Sequence, residues 1–157
     1  MMDITITINN AEVTASVEPR TTLADFLRDQ RRMTSIHLGC EHGVCGACTI
    51  IADGAPVRSC IIYAVSCDGA VIQTIEGCDD DPIMAELRAA FTAHHGLQCG
   101  YCTPAMLMSA RDIVTRLPHA DADRVRLELA GNICRCTGYA GIVRAIMAVL
   151  EQRRKVG

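Results

Sequence analysis

The chain has 157 residues, a net charge of −3, ten cysteines, no tryptophan and only 3% aromatic residues. That charge balance leaves no basic footprint for nucleic acid, and so few aromatics exclude a stacking platform for single strands. MMDITITINN, at the start, lacks the basic segment and continuous apolar core of an export signal, and no apolar run reaches the ~20 residues that span a bilayer; a cytoplasmic chain is expected, whose cysteines bind metal instead of forming a disulfide framework.

Residues 3–8, DITITI, alternate polar and β-branched apolar side chains, the pattern of a half-buried strand. Asn9-Asn10 tolerates positive φ and turns the chain into a second strand over Glu12 to Val17. Thr21 or Thr22 caps a short helix whose Leu23, Phe26 and Leu27 share a face. A Gly- and Cys-rich loop follows, from Gly39 to Cys48. Thr49 to Ala52, Asp53-Gly54 and Ala55 to Ser59 read as a hairpin with its turn, and Val71 to Ile75 as one more strand. Mixed strands around one helix predict a β-grasp-like α+β unit over residues 1–77.

Composition then changes. Asp79-Asp80-Asp81-Pro82 is a helix-start signal, and Ile83 to His94 is the helix it opens. A second helix is expected over 104–117, with Thr103 as N-cap and Pro104 in the first position. A third runs from Asp121 to Ala130 and stops at Gly131-Asn132. The fourth follows Thr137-Gly138 and carries Ile142, Ile146, Val149 and Leu150 on one face. Residues 78–157 therefore read as an all-helical domain of about four helices. The basic runs, Arg31-Arg32 and Arg153-Arg154-Lys155, are expected to be solvated.

Eight cysteines fall into two groups of four. The first, Cys40, Cys45, Cys48 and Cys60, has the C-x4-C-x2-C spacing and distant fourth thiol with which plant-type ferredoxins hold a 2Fe–2S cluster. Such a core is anionic and needs many N–H donors aimed at its sulfurs; Gly39, Gly43 and Gly46 let the backbone come close enough. Cys45 and Cys48 are expected to share one iron, Cys40 and Cys60 the other. Zinc is the competing reading, although C-x4-C is long for a zinc knuckle; buried free thiols are a third. The second group is Cys99, Cys102, Cys134 and Cys136. Each half, QCGYCTP and GNICRCTGY, runs into a predicted helix, so two helix N-termini would point their positive ends at one anionic centre. Zinc remains the alternative there as well, and Arg135 between two ligands either adds positive charge or is solvated.

Cys67 and Cys78 lie outside both groups and read as small core residues. His37 and His42 are expected to be solvated rather than cluster-tuning, while Met84, Met106, Met108 and Met147 sit at core spacing. No dinucleotide or phosphate-binding loop is present, and no acid–base pair or hydrolase signature.

GCEHGVCGACTI, Val57-Arg58-Ser59-Cys60, QCGYCTP and GNICRCTGY together resemble the small iron–sulfur subunit of the molybdenum hydroxylases, the xanthine dehydrogenase, aldehyde oxidoreductase and aerobic carbon monoxide dehydrogenase relatives. The resemblance covers roughly residues 3–150; Tyr101 stands where that family often has Phe, and Ala105 where it often has Gly. It implies an N-terminal β-grasp ferredoxin-type domain and a C-terminal four-helix bundle, each with a 2Fe–2S cluster. It implies a large subunit with molybdopterin cytosine dinucleotide and a medium subunit with FAD, in a heterotrimer or its dimer. Electrons would pass one at a time from the pterin through the helical-domain cluster, then the ferredoxin-like cluster, to FAD. Gln98 and Cys136 would lie beside the pterin, and the Cys45–Cys48 loop would face the flavin. A free-standing two-cluster ferredoxin is the alternative.

Overall fold

The computed structural model describes residues 1–136 and 138–156. Strands β1 (Met2–Ile8), β2 (Ala11–Val17), β3 (Thr49–Ala52), β4 (Ala55–Arg58) and β5 (Val71–Gln73) form one mixed sheet in the order β2-β1-β5-β3-β4. Only the central β1–β5 pairing is parallel. Asn9 and Asn10 take φ of 49° and 68°, which closes the β1–β2 hairpin with Ile8 opposite Ala11. The two-residue period of a strand sends Ile4, Ile6 and Ile8 to one face, where all three are buried. Across that face lies α1 (Leu23–Asp25), continued by a π-helical turn over Phe26–Gln30. Thr22 is its cap, accepting from Asp25 N at 3.1 Å. Leu23, Phe26 and Leu27 are fully buried, each contributing about 1.5–3 kcal/mol of apolar transfer. This is the β-grasp arrangement.

The last strand is shorter than its apolar pattern suggests. Asn9 Oδ1 accepts from Thr74 N at 2.8 Å, and Asn9 Nδ2 donates to Thr74 Oγ1 at 2.9 Å. These bonds take Thr74 off the ladder, and Ile75–Gly77 forms a 3-10 turn instead.

Four helices follow: α2 (Pro82–Ala93), α3 (Thr103–Arg116), α4 (Ala122–Glu128) and α5 (Ala140–Val156). Asp81 caps α2 through Met84 N, and Asp121 caps α4 through Arg124 N. α4 is shorter than expected because Leu129–Gly131 tightens into a 3-10 turn. Thr103 is not the cap of α3. Cys102 is already in the right-handed helical region, so the helix begins one residue earlier and has no side-chain cap. The expected start of α5 at Thr137-Gly138 falls partly outside the described residues; the helix itself begins at Ala140, after Tyr139 at φ 73°. Ile142, Ile146, Val149 and Leu150 all point into the core, with Met84, Met106 and Met108. Arg154 is exposed and Arg153 part-exposed, as expected of a solvated run, but both also make contacts the sequence did not suggest. Arg153 forms a two-pronged ion pair with Glu86 of α2, at 2.8 and 3.1 Å, and Arg154 donates to the carbonyls of Pro118 and Ala120.

The two halves have separate apolar cores, yet one strand serves both. Ile50 is buried in the β-grasp core; Ile51, on the opposite face of β3, is buried among helical-half side chains. Among the described residues no helix is long and apolar enough to cross a membrane.

Candidate metal centres

The first cysteine loop bends back over its own first thiol. Gly43 and Gly46 take φ of 84° and 75°, a region L side chains avoid. The bend aims two backbone N–H groups, of Val44 and Cys45, at Cys40 Sγ, each at 3.3 Å. Donors of this kind favour the thiolate: the Cys45 N–H foremost, then that of His42, lower the Cys40 thiol to about 6. Cys48 and Cys60 are buried. Ser59, one residue before Cys60, donates its hydroxyl to Cys48 O at 2.8 Å, which ties the end of β4 to the loop. Burial first, and then the Cys48 side chain, push the Cys60 thiol up to about 11.

The thiols are therefore grouped differently from the sequence expectation. The Cys40 side chain meets that of Cys45, and the Cys60 side chain meets that of Cys48. The fold-back of residues 41–44 brings Cys40 onto Cys45, and the Ser59 bond holds Cys60 against Cys48.

The second group gathers where the loop before α3 meets the loop before α5. Gly100, at φ 81°, turns the chain so that Tyr101 N donates to Cys99 Sγ at 3.5 Å. Cys102 and Cys134 form the inner pair: burial first, then the Cys134 side chain, push the Cys102 thiol up to about 12. Cys99 and Cys136 are exposed. Gln98 Nε2 donates to Cys136 O at 3.0 Å, joining the two outer ends of this group. Arg135 is exposed.

The two groups are bonded to one another. Ile133, next to Cys134, donates its N–H to Cys45 O at 2.8 Å. Asn132 Nδ2 donates to Gly46 O and to Thr49 Oγ1, both at 3.1 Å. Arg58 donates to Thr49 Oγ1 at 2.8 Å and to Gly131 O at 2.6 Å. On the other flank, the His37 ring stacks on Tyr101 with centroids 4.5 Å apart and donates from Nδ1 to Tyr101 O. Tyr101 in turn donates its hydroxyl to Leu38 O at 2.8 Å.

Residues 6–70 match the family described as a 2Fe-2S iron-sulfur cluster binding domain, and residues 74–147 a second 2Fe-2S binding domain. Caffeine dehydrogenase subunit gamma of Pseudomonas sp. (strain CBB1) is 48% identical, over 93% of this chain and 89% of that protein. Nicotine 6-hydroxylase small subunit of Paenarthrobacter nicotinovorans is 47% identical, over 93% of this chain and 88% of its own length. The chain belongs to the small iron–sulfur subunits of the molybdenum hydroxylases. Quinoline 2-oxidoreductase from Pseudomonas putida 86 contains a chain of the same fold, with a TM-score of 0.91 at 47% identity, covering 98% of this chain and 96% of that one. Like these relatives, the chain is the iron–sulfur electron carrier of an oxidoreductase.

The residues present fit such clusters. A four-thiolate anionic centre needs donors directed at sulfur, and Val44, Cys45 and Tyr101 direct theirs there. Thr103 Oγ1, one residue from Cys102, is buried and has no hydrogen-bond partner among the described residues; a buried hydroxyl left so costs about 1–3 kcal/mol unless something outside the chain accepts from it. Cys67 and Cys78 are buried in the two apolar cores, and burial raises both thiols.

Sequence reasoning missed the parts that join the groups. Asn132 was read as a helix stop, Arg58 carried no role, and His37 was expected in solvent. The one available signal was position: each lies within three residues of a cysteine of either group.

Proposed function

We propose that this chain relays single electrons from the molybdopterin cytosine dinucleotide of a large subunit, through two 2Fe–2S clusters, to FAD on a medium subunit, in a heterotrimer or its dimer in the cytoplasm. In this reading residues 1–77 hold the first cluster through Cys40, Cys45, Cys48 and Cys60, and residues 78–157 hold the second through Cys99, Cys102, Cys134 and Cys136. Each cluster, when bound, takes up and releases one electron. The separate apolar cores of the two halves support the division.

The observation that carries the reading is the bond from Ile133 N–H to Cys45 O at 2.8 Å. Cys45 is a ligand residue of one centre, and Ile133 is covalently joined to Cys134, a ligand residue of the other. One hydrogen bond thus completes a continuous bonded path between the two sites. The N–H groups of Val44 and Cys45 hold charge at Cys40, and Gln98 holds the Cys136 backbone at the exposed outer end. That exposure supports placing Gln98 and Cys136 beside the pterin. Val44 in the first loop and Ile61 beside its Gly43 are apolar and exposed, which supports a partner surface on the flavin side. Caffeine, nicotine and quinoline, named for the three relatives, favour a nitrogen-containing ring as substrate of the assembled enzyme.

Cys136→Ser in the assembled enzyme tests the ligand set. One of two reduced-state EPR signals should be lost or altered while the other survives, and loss of neither refutes the assignment. Co-purification of a molybdenum protein and a flavoprotein separates the relay from a free ferredoxin.

A further inference from the structure

Resting on the relay reading, we propose that Asn132 and Arg58, with Thr49 between them, are positioning residues that fix the register of the two cysteine loops and thereby the rate of electron exchange across them. None of the three is a cysteine, and among the described residues none has a hydrogen bond to a cysteine sulfur.

Asn132 is only 3% exposed, yet its side chain bonds to three separate parts of the fold. Its Nδ2 reaches Gly46 O in the first cysteine loop and Thr49 Oγ1 on β3, and its Oδ1 accepts from Ser109 Oγ on α3 at 3.0 Å. Thr49 is 4% exposed and its hydroxyl is fully used. It accepts from Asn132 and from Arg58, and donates to Gly46 O. Arg58, on β4, closes the circuit through Gly131 O. Every member touches a residue one or a few positions from a cysteine of one group or the other. Apolar packing of the same volume would hold the halves together without selecting one alignment, whereas a closed set of directional bonds admits a single register. The Ile133–Cys45 bond lies inside that set, so its length depends on it.

Asn132→Ala, Thr49→Val and Thr49→Ser in the assembled complex provide the test. Three quantities are read: iron content, the magnetic splitting between the two reduced-state EPR signals, and the rate of exchange between clusters after flash reduction. Asn132→Ala and Thr49→Val should keep both signals, show weakened splitting, and slow exchange about tenfold, equivalent to about 1.4 kcal/mol on the barrier. Thr49→Ser, which restores the hydroxyl, should recover splitting and rate. If Asn132→Ala loses iron, Thr49→Val decides, since it preserves side-chain shape. Iron-replete variants with native splitting and native rate would overturn the proposal. Absence of exchange in the unmodified complex would instead sink the relay reading beneath it.

Discussion

Gly46→Ala measures how tightly the two loops are pressed together. Gly46 takes φ of 75°, and an alanine there costs about 1–2 kcal/mol in backbone strain alone. Its methyl carbon would also overlap the carbonyl oxygen of Gly131 and lie 2.9 Å from Asn132 Cα and 3.0 Å from Asn132 Nδ2. These atoms cannot step aside: two are backbone, and the third belongs to a side chain held by three hydrogen bonds. Overpacking of this kind adds about 1–3 kcal/mol, for a sum of about 2–5 kcal/mol. In a chain of this length each kcal/mol lowers the melting temperature by roughly 2–4 °C, so a drop on the order of 10 °C is expected. Gly54→Ala is the control. Gly54 has φ of 80° in the β3–β4 turn, but nothing lies within 4 Å of the added methyl. It carries the strain without the collision. Both variants would be melted side by side with clusters loaded, following the backbone by circular dichroism and the clusters by visible absorbance. If Gly46→Ala melts no lower than Gly54→Ala, the loops are not in contact as described.

Asp81 caps α2 and pairs with Arg111 at 2.6 Å; burial works against its charge, but the Met84 N–H and Arg111 together hold the carboxyl below the usual Asp range. A lowered folded value contributes stability that is present above the ordinary pKa near 4 and lost as pH falls through the folded value. Asp81→Asn keeps a cap but not the ion pair, so it should melt lower at neutral pH by about 1–2 kcal/mol, and the gap should close in acid; a gap independent of pH refutes the linkage. Arg153→Ala removes the α2–α5 ion pair, whose partners are 37% and 31% exposed. A loss of about 0.5–1 kcal/mol is expected at low salt, shrinking as salt rises, and an unchanged low-salt melt would show that the pair contributes nothing. Cys67→Ser should leave both EPR signals intact, with a modest drop in melting temperature; loss of a signal would mean that the fourth ligand of the first centre had been wrongly chosen.

Much of this fold was legible because it is written in local patterns. The alternation of Ile4, Ile6 and Ile8 identified a strand, Asn9-Asn10 its turn, and the spacing of Ile142, Ile146, Val149 and Leu150 a helix face. The cysteine spacing separated two sets of four, but it could not show which thiols meet. Spacing measures distance along the chain, and the meeting of Cys40 with Cys45 depends on a fold-back stabilised by N–H donors to sulfur. Thr103 followed the residue preferences of a helix cap, which failed because Cys102 had already entered the helix. Asn132 was hidden for a different reason. Its partner Gly46 is 86 positions away in sequence, and an Asn after a Gly is also what a helix end looks like. Arg153 was hidden likewise, since a basic run reads as solvated until Glu86 is placed beside it.

The placement of β3 explains why these long-range contacts can be held so closely. Cys48, Thr49, Ile50 and Ile51 are consecutive, and each has a different task. Cys48 lies beside Cys60 at the first centre, Thr49 holds the polar seam, Ile50 fills the β-grasp core, and Ile51 fills the helical core. The strand's two-residue period forces Ile50 and Ile51 to opposite faces, so both cores grip the same stretch of backbone. Neither half can shift without dragging that strand, and Thr49 moves with it. Apolar adhesion therefore comes from the faces of β3, while the hydrogen bonds at its first residue choose the register. The first cysteine loop thereby turns its backbone N–H groups at Val44 and Cys45 toward sulfur, while Cys48 at its end still packs into the β-grasp core.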